Sequence, residues 1–148
     1  MAPILIDTNV LVYASDPADL TRQDQALRTL KHLGMSLSGR LSVQSLAEFI
    51  NVTTCSRRPL YTRAEAYEQA ERLIHTYPVF DLTPMIVLEA ARGARDHSLA
   101  YYDAQIWATA RLNQVPVIFS EDFGDGQALE GVRFVNPFGS AFQLEDWA

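Results

Sequence analysis

The strongest constraint on this chain lies at its start, where Ile4-Leu5-Ile6 runs directly into Asp7-Thr8-Asn9. A short apolar run closed by polar residues reads as a strand buried on both faces, the kind found in parallel sheets. In open α/β sheets, ligands bind beyond the carboxyl ends of the strands. Asp7 therefore stands where such a fold does its chemistry. The stretch Val115-Pro116-Val117-Ile118-Phe119 repeats the pattern and delivers Ser120, Glu121 and Asp122 to the same kind of position. Pro116 is tolerated near a strand's beginning.

Between and after these two strands, helical and extended periods alternate. Helices are expected over residues 9–14, 21–35, 43–56, 62–77, 83–96 and 101–113. Shorter strands are expected over 40–42, 79–82 and 132–135. Thr62-Arg63-Ala64-Glu65 has the spacing of a capping box. Thr83-Pro84 places a cap before a proline at the first helical position. Alternation of this kind builds an α/β fold with a mostly parallel central sheet flanked by helices. No repeat, low-complexity tract or linker divides the chain, so residues 1–148 are read as one domain.

A chain of 148 residues buries roughly 70% of its unfolded surface. The net charge of −6 argues against coating nucleic acid by bulk electrostatics, though not against touching it through a bound cation. Cys55 is the only cysteine, which excludes an internal disulfide and fits a reducing, cytoplasmic setting. The N-terminus has no basic segment ahead of its apolar run, so no secretory signal is expected. No stretch is long and apolar enough to cross a membrane.

Four acids carry the chemistry. Asp7 and Asp122 follow buried strands, while Glu48 and Asp103 lie near the starts of their helices. Helices that connect parallel strands run back against them, so all four acids fall at one edge of the sheet. Each also has a purely structural reading. Asp7 can cap the helix after it. Glu48 completes Ser45-Leu46-Ala47-Glu48, a capping-box pattern. Asp103 can interact with a helix dipole, and Asp122 can serve a turn. Convergence favours the functional reading, because crowded carboxylates repel and one is pushed to protonate. A divalent cation removes that penalty, and all-oxygen donors suit Mg²⁺ or Mn²⁺. His32, His75 and His97 show no zinc-ligand spacing. Thr8 and Ser120 are placed to hold the acids by their hydroxyls. Asn9 can bond an acid or cap the helix.

These same residues carry a family resemblance. Ile4 to Tyr13 resembles the opening motif of PIN-domain ribonucleases. Ser45-Leu46-Ala47-Glu48-Phe49 is similar to the family's second acidic motif, and Tyr101-Tyr102-Asp103-Ala104-Gln105-Ile106 to its third. Ser120-Glu121-Asp122-Phe123, Gly124-Asp125-Gly126 and residues 132–138 resemble the fourth motif and closing strand of the VapC toxin branch. Glu121, Asp122 and Asp125 all lie within reach of the fourth position. Asp122 is favoured, with Asp125 in support. The resemblance implies a PIN-like three-layer sandwich and a Mg²⁺-dependent endoribonuclease, with Mn²⁺ an alternative. In it, Asp7, Glu48, Asp103 and Asp122 are both metal-holding and catalytic. It also implies a homodimer and a cognate antitoxin partner. The alternative is a catalytically silent PIN-like module that binds RNA or protein.

Other readings fit less well. Phosphatases of the haloacid-dehalogenase type and receiver domains need a lysine at the site. Lys31 is the only lysine among twelve basic residues and lies inside a helix. Dinucleotide binding fails for want of a glycine-rich turn after the first strand. Arg57, Arg58 and Arg63, and separately Arg92 and Arg95, are either phosphate contacts or solvated charge. Leu46, Phe49, Tyr61, Tyr67 and Ile74 suggest apolar surface for partners. The tail residues Phe138, Phe142, Leu144 and Trp147 are read as core packing.

Overall fold

A computed structural model describes residues 2–147. Strand β1 (Ile4–Ile6) leads into α1 (Thr8–Ser15) and α2 (Leu20–Met35). Then come β2 (Gly39–Ser42), α3 (Val43–Thr54) and α4 (Arg63–Thr76). The second half runs β3 (Val79–Phe80), α5 (Pro84–His97), α6 (Tyr101–Leu112), β4 (Val117–Phe119), β5 (Ala128–Leu129) and β6 (Val132–Val135). Leu144–Trp147 close the chain as one 3₁₀ turn. No helix among the described residues is long and apolar enough to cross a membrane.

The strands lie in the order β3, β2, β1, β4, β6, β5, all parallel except β5, which runs against β6. The chain winds outward from β1 to β3, then crosses back to β4 on β1's other side. The carboxyl ends of β1 and β4 therefore flank the point where winding reverses, the usual ligand crevice of such sheets.

Alternate residues of the central strands face opposite layers, the period-two consequence of the pleat. Ile4, Ile6, Val117 and Phe119 pack with Val10 and Leu11 of α1, Ala26 and Leu33 of α2, and Leu46 and Phe49 of α3. Leu5, Ile118 and Phe134 pack with Ile86 and Ala90 of α5 and with Ile106 and Trp107 of α6. The product is a three-layer α/β/α sandwich, as read from the sequence. Phe138, Phe142 and Trp147 join the first core, so the tail seals the sheet. Phe142 and Trp147 both meet Phe119 edge-to-face. Leu46 and Phe49 are core residues, 8% and 2% exposed, not partner surface. Tyr67 and Ile74 are exposed.

Two local features needed the third dimension. The expected strand over 115–119 begins at Val117, because Pro116 lacks the N–H to pair while its carbonyl accepts from Arg133. Strand β5 was not expected at all. It joins β6 through Glu130 and Gly131, at φ +48° and +85°, the two positive values of a type I′ hairpin turn. Glutamate is a poor occupant of that conformation. Arg92 donates to both Glu130 oxygens at 3.0 Å, and the His97 ring nitrogen lies 2.7 Å from Oε2. Ion pairing thus holds a turn that local propensity disfavours. Arg92 also pairs with Glu89 and Asp96, and Arg95 with Asp96. Both arginines are engaged in ion pairs within α5, and Arg92 also with the hairpin. Arg57, Arg58 and Arg63 stay exposed.

Candidate active site

Asp7 occupies two roles at once. As N-cap of α1 it accepts the Thr8 N–H at 2.7 Å through Oδ1. Its other oxygen, Oδ2, accepts the Ser120 hydroxyl at 2.8 Å. Ser120 reaches it because β4 lies beside β1, with Ile6 paired to Phe119. Asp7 is only 4% exposed. Burial pushes its carboxyl up to about 7, against the pull of the Ser120 and Thr8 hydrogen bonds, and the charges of Asp122 and Glu48 add to the rise.

Asn9, the second residue of α1, faces the acids rather than capping a helix. Its amide nitrogen donates to Ser120 Oγ at 3.1 Å and to Asp122 Oδ2 at 3.2 Å, with Asp7 Oδ2 at 3.5 Å. Its carbonyl oxygen accepts from Glu121 N–H at 3.4 Å. Asp122 in turn donates its own backbone N–H to Ser120 Oγ at 3.1 Å. One serine and one asparagine therefore tie the ends of β1 and β4 into a single rim.

Glu48 is not part of a capping box. The N-cap of α3 is Ser42, whose hydroxyl accepts from Ser45 N–H, and this shifts the helix start three residues ahead of the pattern seen in the sequence. Glu48 is left free to face Asp7's side. Thr8 Oγ1 donates to Glu48 Oε2 at 2.7 Å, and Gln44 Nε2 donates to Oε1 at 2.8 Å. Gln44 is held by Gln105, whose amide donates to Gln44 Oε1 at 2.8 Å. Gln44 also donates to the Tyr102 carbonyl at 3.0 Å. This amide relay from α6 to α3 escaped the sequence reading. The available signal was position: Gln44 precedes Glu48 by one helical turn, and Gln105 follows Asp103 by two residues.

Asp103 sits in the first turn of α6, a helix whose N-cap, Ala100, offers no side-chain hydrogen bond. Partial burial raises its carboxyl above the usual range, helped by the charges of Asp122 and Glu48. Asp125 is engaged elsewhere, accepting from Asn136 N–H at 3.0 Å. Glu121 accepts the Tyr13 hydroxyl at 2.7 Å and lies 3.6 Å from Arg22. Of the three acids in this loop, Asp122 is the one whose charge is felt by both Asp7 and Asp103.

Asp7, Glu48, Asp103 and Asp122 thus share a rim, and among the described residues none of them pairs with an arginine, lysine or histidine. The acids do not close into a ready-made cage, for no three carboxylate, histidine or cysteine side chains among the described residues stand within ligand distance of one point. A buried carboxylate raised to about 7, with like charges around it, lacks a positive counterpart. The donor set is all oxygen and suits a hard divalent cation such as Mg²⁺ or Mn²⁺. Serine, threonine and glutamine hold the acids from behind, as outer-shell groups do around metal ligands.

Solved structures share this architecture. A toxin–antitoxin complex from Klebsiella pneumoniae aligns with a TM-score of 0.61 at 20% identity, over 90% of this chain and 97% of its counterpart. VapC20 from Mycobacterium tuberculosis, a toxin that cleaves the sarcin-ricin loop, aligns at 0.62 and 19%, over 80% and 89%. DNA-bound VapBC from Salmonella typhimurium aligns at 0.63 and 17%, over 90% and 97%. No curated protein matches the chain in sequence. At these identities the likeness is one of fold. A family profile described as PIN domain matches residues 4–124. That stretch spans both halves of the sheet's switch point and all four rim acids, and the chain belongs to the PIN-domain family.

Proposed function

We propose that the protein is a divalent-metal-dependent endoribonuclease that hydrolyses RNA phosphodiester bonds. The carrying observation is the set of four carboxylates at the switch point without a cationic partner, one of them buried and raised to about 7. Asp7, Glu48, Asp103 and Asp122 would hold Mg²⁺ or Mn²⁺. Such an ion supplies charge neutralisation at the phosphate and lowers the pKa of water.

The chain's own groups orient the acids. Ser120 and Asn9 fix the Asp7 and Asp122 carboxylates, while Thr8 and Gln44 aim both oxygens of Glu48. The half-buried position of Asp103 at a helix start without a side-chain cap leaves its carboxylate accessible from solvent. Family membership and the VapC-type fold support a toxin role, with a cognate antitoxin as partner and a homodimer as the working unit in the cytoplasm.

The test is RNA cleavage by the wild type and by Asp7→Asn, with Mg²⁺, Mn²⁺ or EDTA. Cleavage by the wild type alone, only with metal, is the expected result. Activity in neither protein would favour a silent binding module, and equal activity in both would expose a contaminating nuclease. Growth arrest on expression, absent for Asp7→Asn, tests the toxin role. Light scattering tests the dimer.

Ser120→Ala is expected to be informative on its own. It removes the hydroxyl that lowers the Asp7 carboxyl, so that group rises further. Metal affinity or cleavage should fall by about 10- to 100-fold, with the Mn²⁺-dependence curve displaced to higher pH. An unshifted curve would show that Ser120 does not govern Asp7.

A further inference from the structure

Beside the acid rim, α3 and the start of α6 enclose an open groove of about 610 Å³, whose walls include Gln44, Glu48, Asn51, Leu82, Tyr102 and Gln105. Three observations set it apart from the other surface hollows. It is continuous with the rim, because Glu48 belongs to both and Tyr102 adjoins Asp103 in sequence. It is built in advance, because Gln105 holds Gln44 at 2.8 Å and Gln44 holds the Tyr102 carbonyl at 3.0 Å, tying one wall to the other. It is apolar on its sides, where Tyr102 and Leu82 are 67% and 44% exposed in a place where burial would be favourable. The Tyr102 ring is braced edge-to-face by Tyr101 at 5.2 Å. Glu48 is the sole charged group in the lining, so a phosphate gains nothing there, whereas an uncharged flat group does.

We infer that this groove receives one unpaired nucleobase next to the scissile phosphate, stacked on Tyr102 and read at its edge by the Asn51 amide. The inference rests on the ribonuclease reading and names how that site chooses its substrate. Single-stranded RNA is recognised by aromatic stacking combined with amide hydrogen bonds to base edges. Both groups are present: Asn51 lies about one helical turn along α3 from Glu48, and Tyr102 adjoins Asp103 on α6.

The test uses hexanucleotide RNAs carrying a single 2-aminopurine at successive positions, bound to the full-length Asp103→Asn protein in Mg²⁺. One position is expected to be quenched on binding. Adding Tyr102→Ala should weaken binding by about 5- to 150-fold and abolish that quench, while Tyr102→Trp preserves both. Exposure of the ring predicts an unchanged melting temperature for Tyr102→Ala, separating stacking from folding. Unchanged affinity and quench in Tyr102→Ala would overturn the inference. In parallel, the wild-type background reads cleavage, where Tyr102→Ala should raise KM far more than it lowers kcat. Wild-type cleavage with a KM indifferent to Tyr102 would sink the groove and spare the ribonuclease. Tyr102-dependent quenching without any wild-type cleavage would do the reverse. A Tyr102→Ala protein that binds RNA normally but loses a protein partner would reassign the groove to that partner.

Discussion

Asp7→Asn is expected to abolish cleavage and, in the absence of metal, to make the protein more stable. In the folded state the Asp7 carboxyl is raised from 3.8 to about 7, chiefly by burial. Between those two values the folded protein keeps a proton that the unfolded chain has released. Stability therefore falls as pH rises through that window and levels off above it. Each tenfold change in the carboxyl's proton affinity is worth about 1.36 kcal/mol. Asparagine removes the charge but disturbs the Ser120 and Asn9 hydrogen bonds, at a cost of about 1 kcal/mol each. The balance is a gain on the order of 2–3 kcal/mol at pH 8 in EDTA, or roughly 4–10 °C in melting temperature. At pH 4 the gain should vanish and turn into a small loss. Mg²⁺ should narrow the gap at pH 8 by stabilising only the wild type. Residual cleavage should lie below about one-hundredth of wild type, since even outer-shell changes cost up to that much. A variant that melts at or below the wild type at pH 8 without metal would contradict the picture of an acid held ionised at the fold's expense.

Gly93→Ala is expected to destabilise the fold without touching the acids. Gly93 lies on the buried face of α5, against the α6 tryptophan. A Cβ there would come within 2.5 Å of Trp107 Cζ3 and 2.7 Å of Cε3. The ring cannot swing aside. Its N–H donates to the Leu129 carbonyl at 3.2 Å, Arg92 lies over it at 5.6 Å, and His97 meets it edge-on at 5.6 Å. Overpacking of this kind costs about 1–3 kcal/mol, a fall of roughly 3–10 °C in melting temperature. Replacing the ring by a smaller one should restore part of the loss, so Gly93→Ala with Trp107→Phe should lose less than the two single changes added together. Strict additivity would mean that the close approach is not the cause. Cleavage per folded molecule well below the melt should be near wild type.

Much of this molecule was legible in one dimension. The helices of the sequence reading recur with ends displaced by a few residues, as do strands β1 to β4 and β6. The Thr62–Glu65 capping box is made by both of its hydrogen bonds. Misreadings arose where a local pattern had a second, distant meaning. Ser45 and Glu48 match a capping box by spacing, yet Ser42 starts the helix, and Glu48 answers to Thr8 and Gln44 instead. Leu46 and Phe49 looked like surplus surface because their burial depends on α1 and the sheet, neither of which is near in sequence. The β5–β6 hairpin hid behind a glutamate in a glycine-like conformation, which Arg92 and His97 reach from α5.

Residue order alone marks which segments bury two faces, which bury one, and which acids follow them. Hydrophobic period and capping chemistry are local, and they act whatever the rest of the chain does. Long-range packing sets how far apart the four acids stand, engages Asp125 with Asn136 while Asp122 joins the rim, and braces Glu48 with Gln44 and Gln105. Those outcomes depend on β4 lying beside β1 and α6 beside α3. Hydrogen bonds and charge repulsion act across space, between residues that no sequence spacing relates.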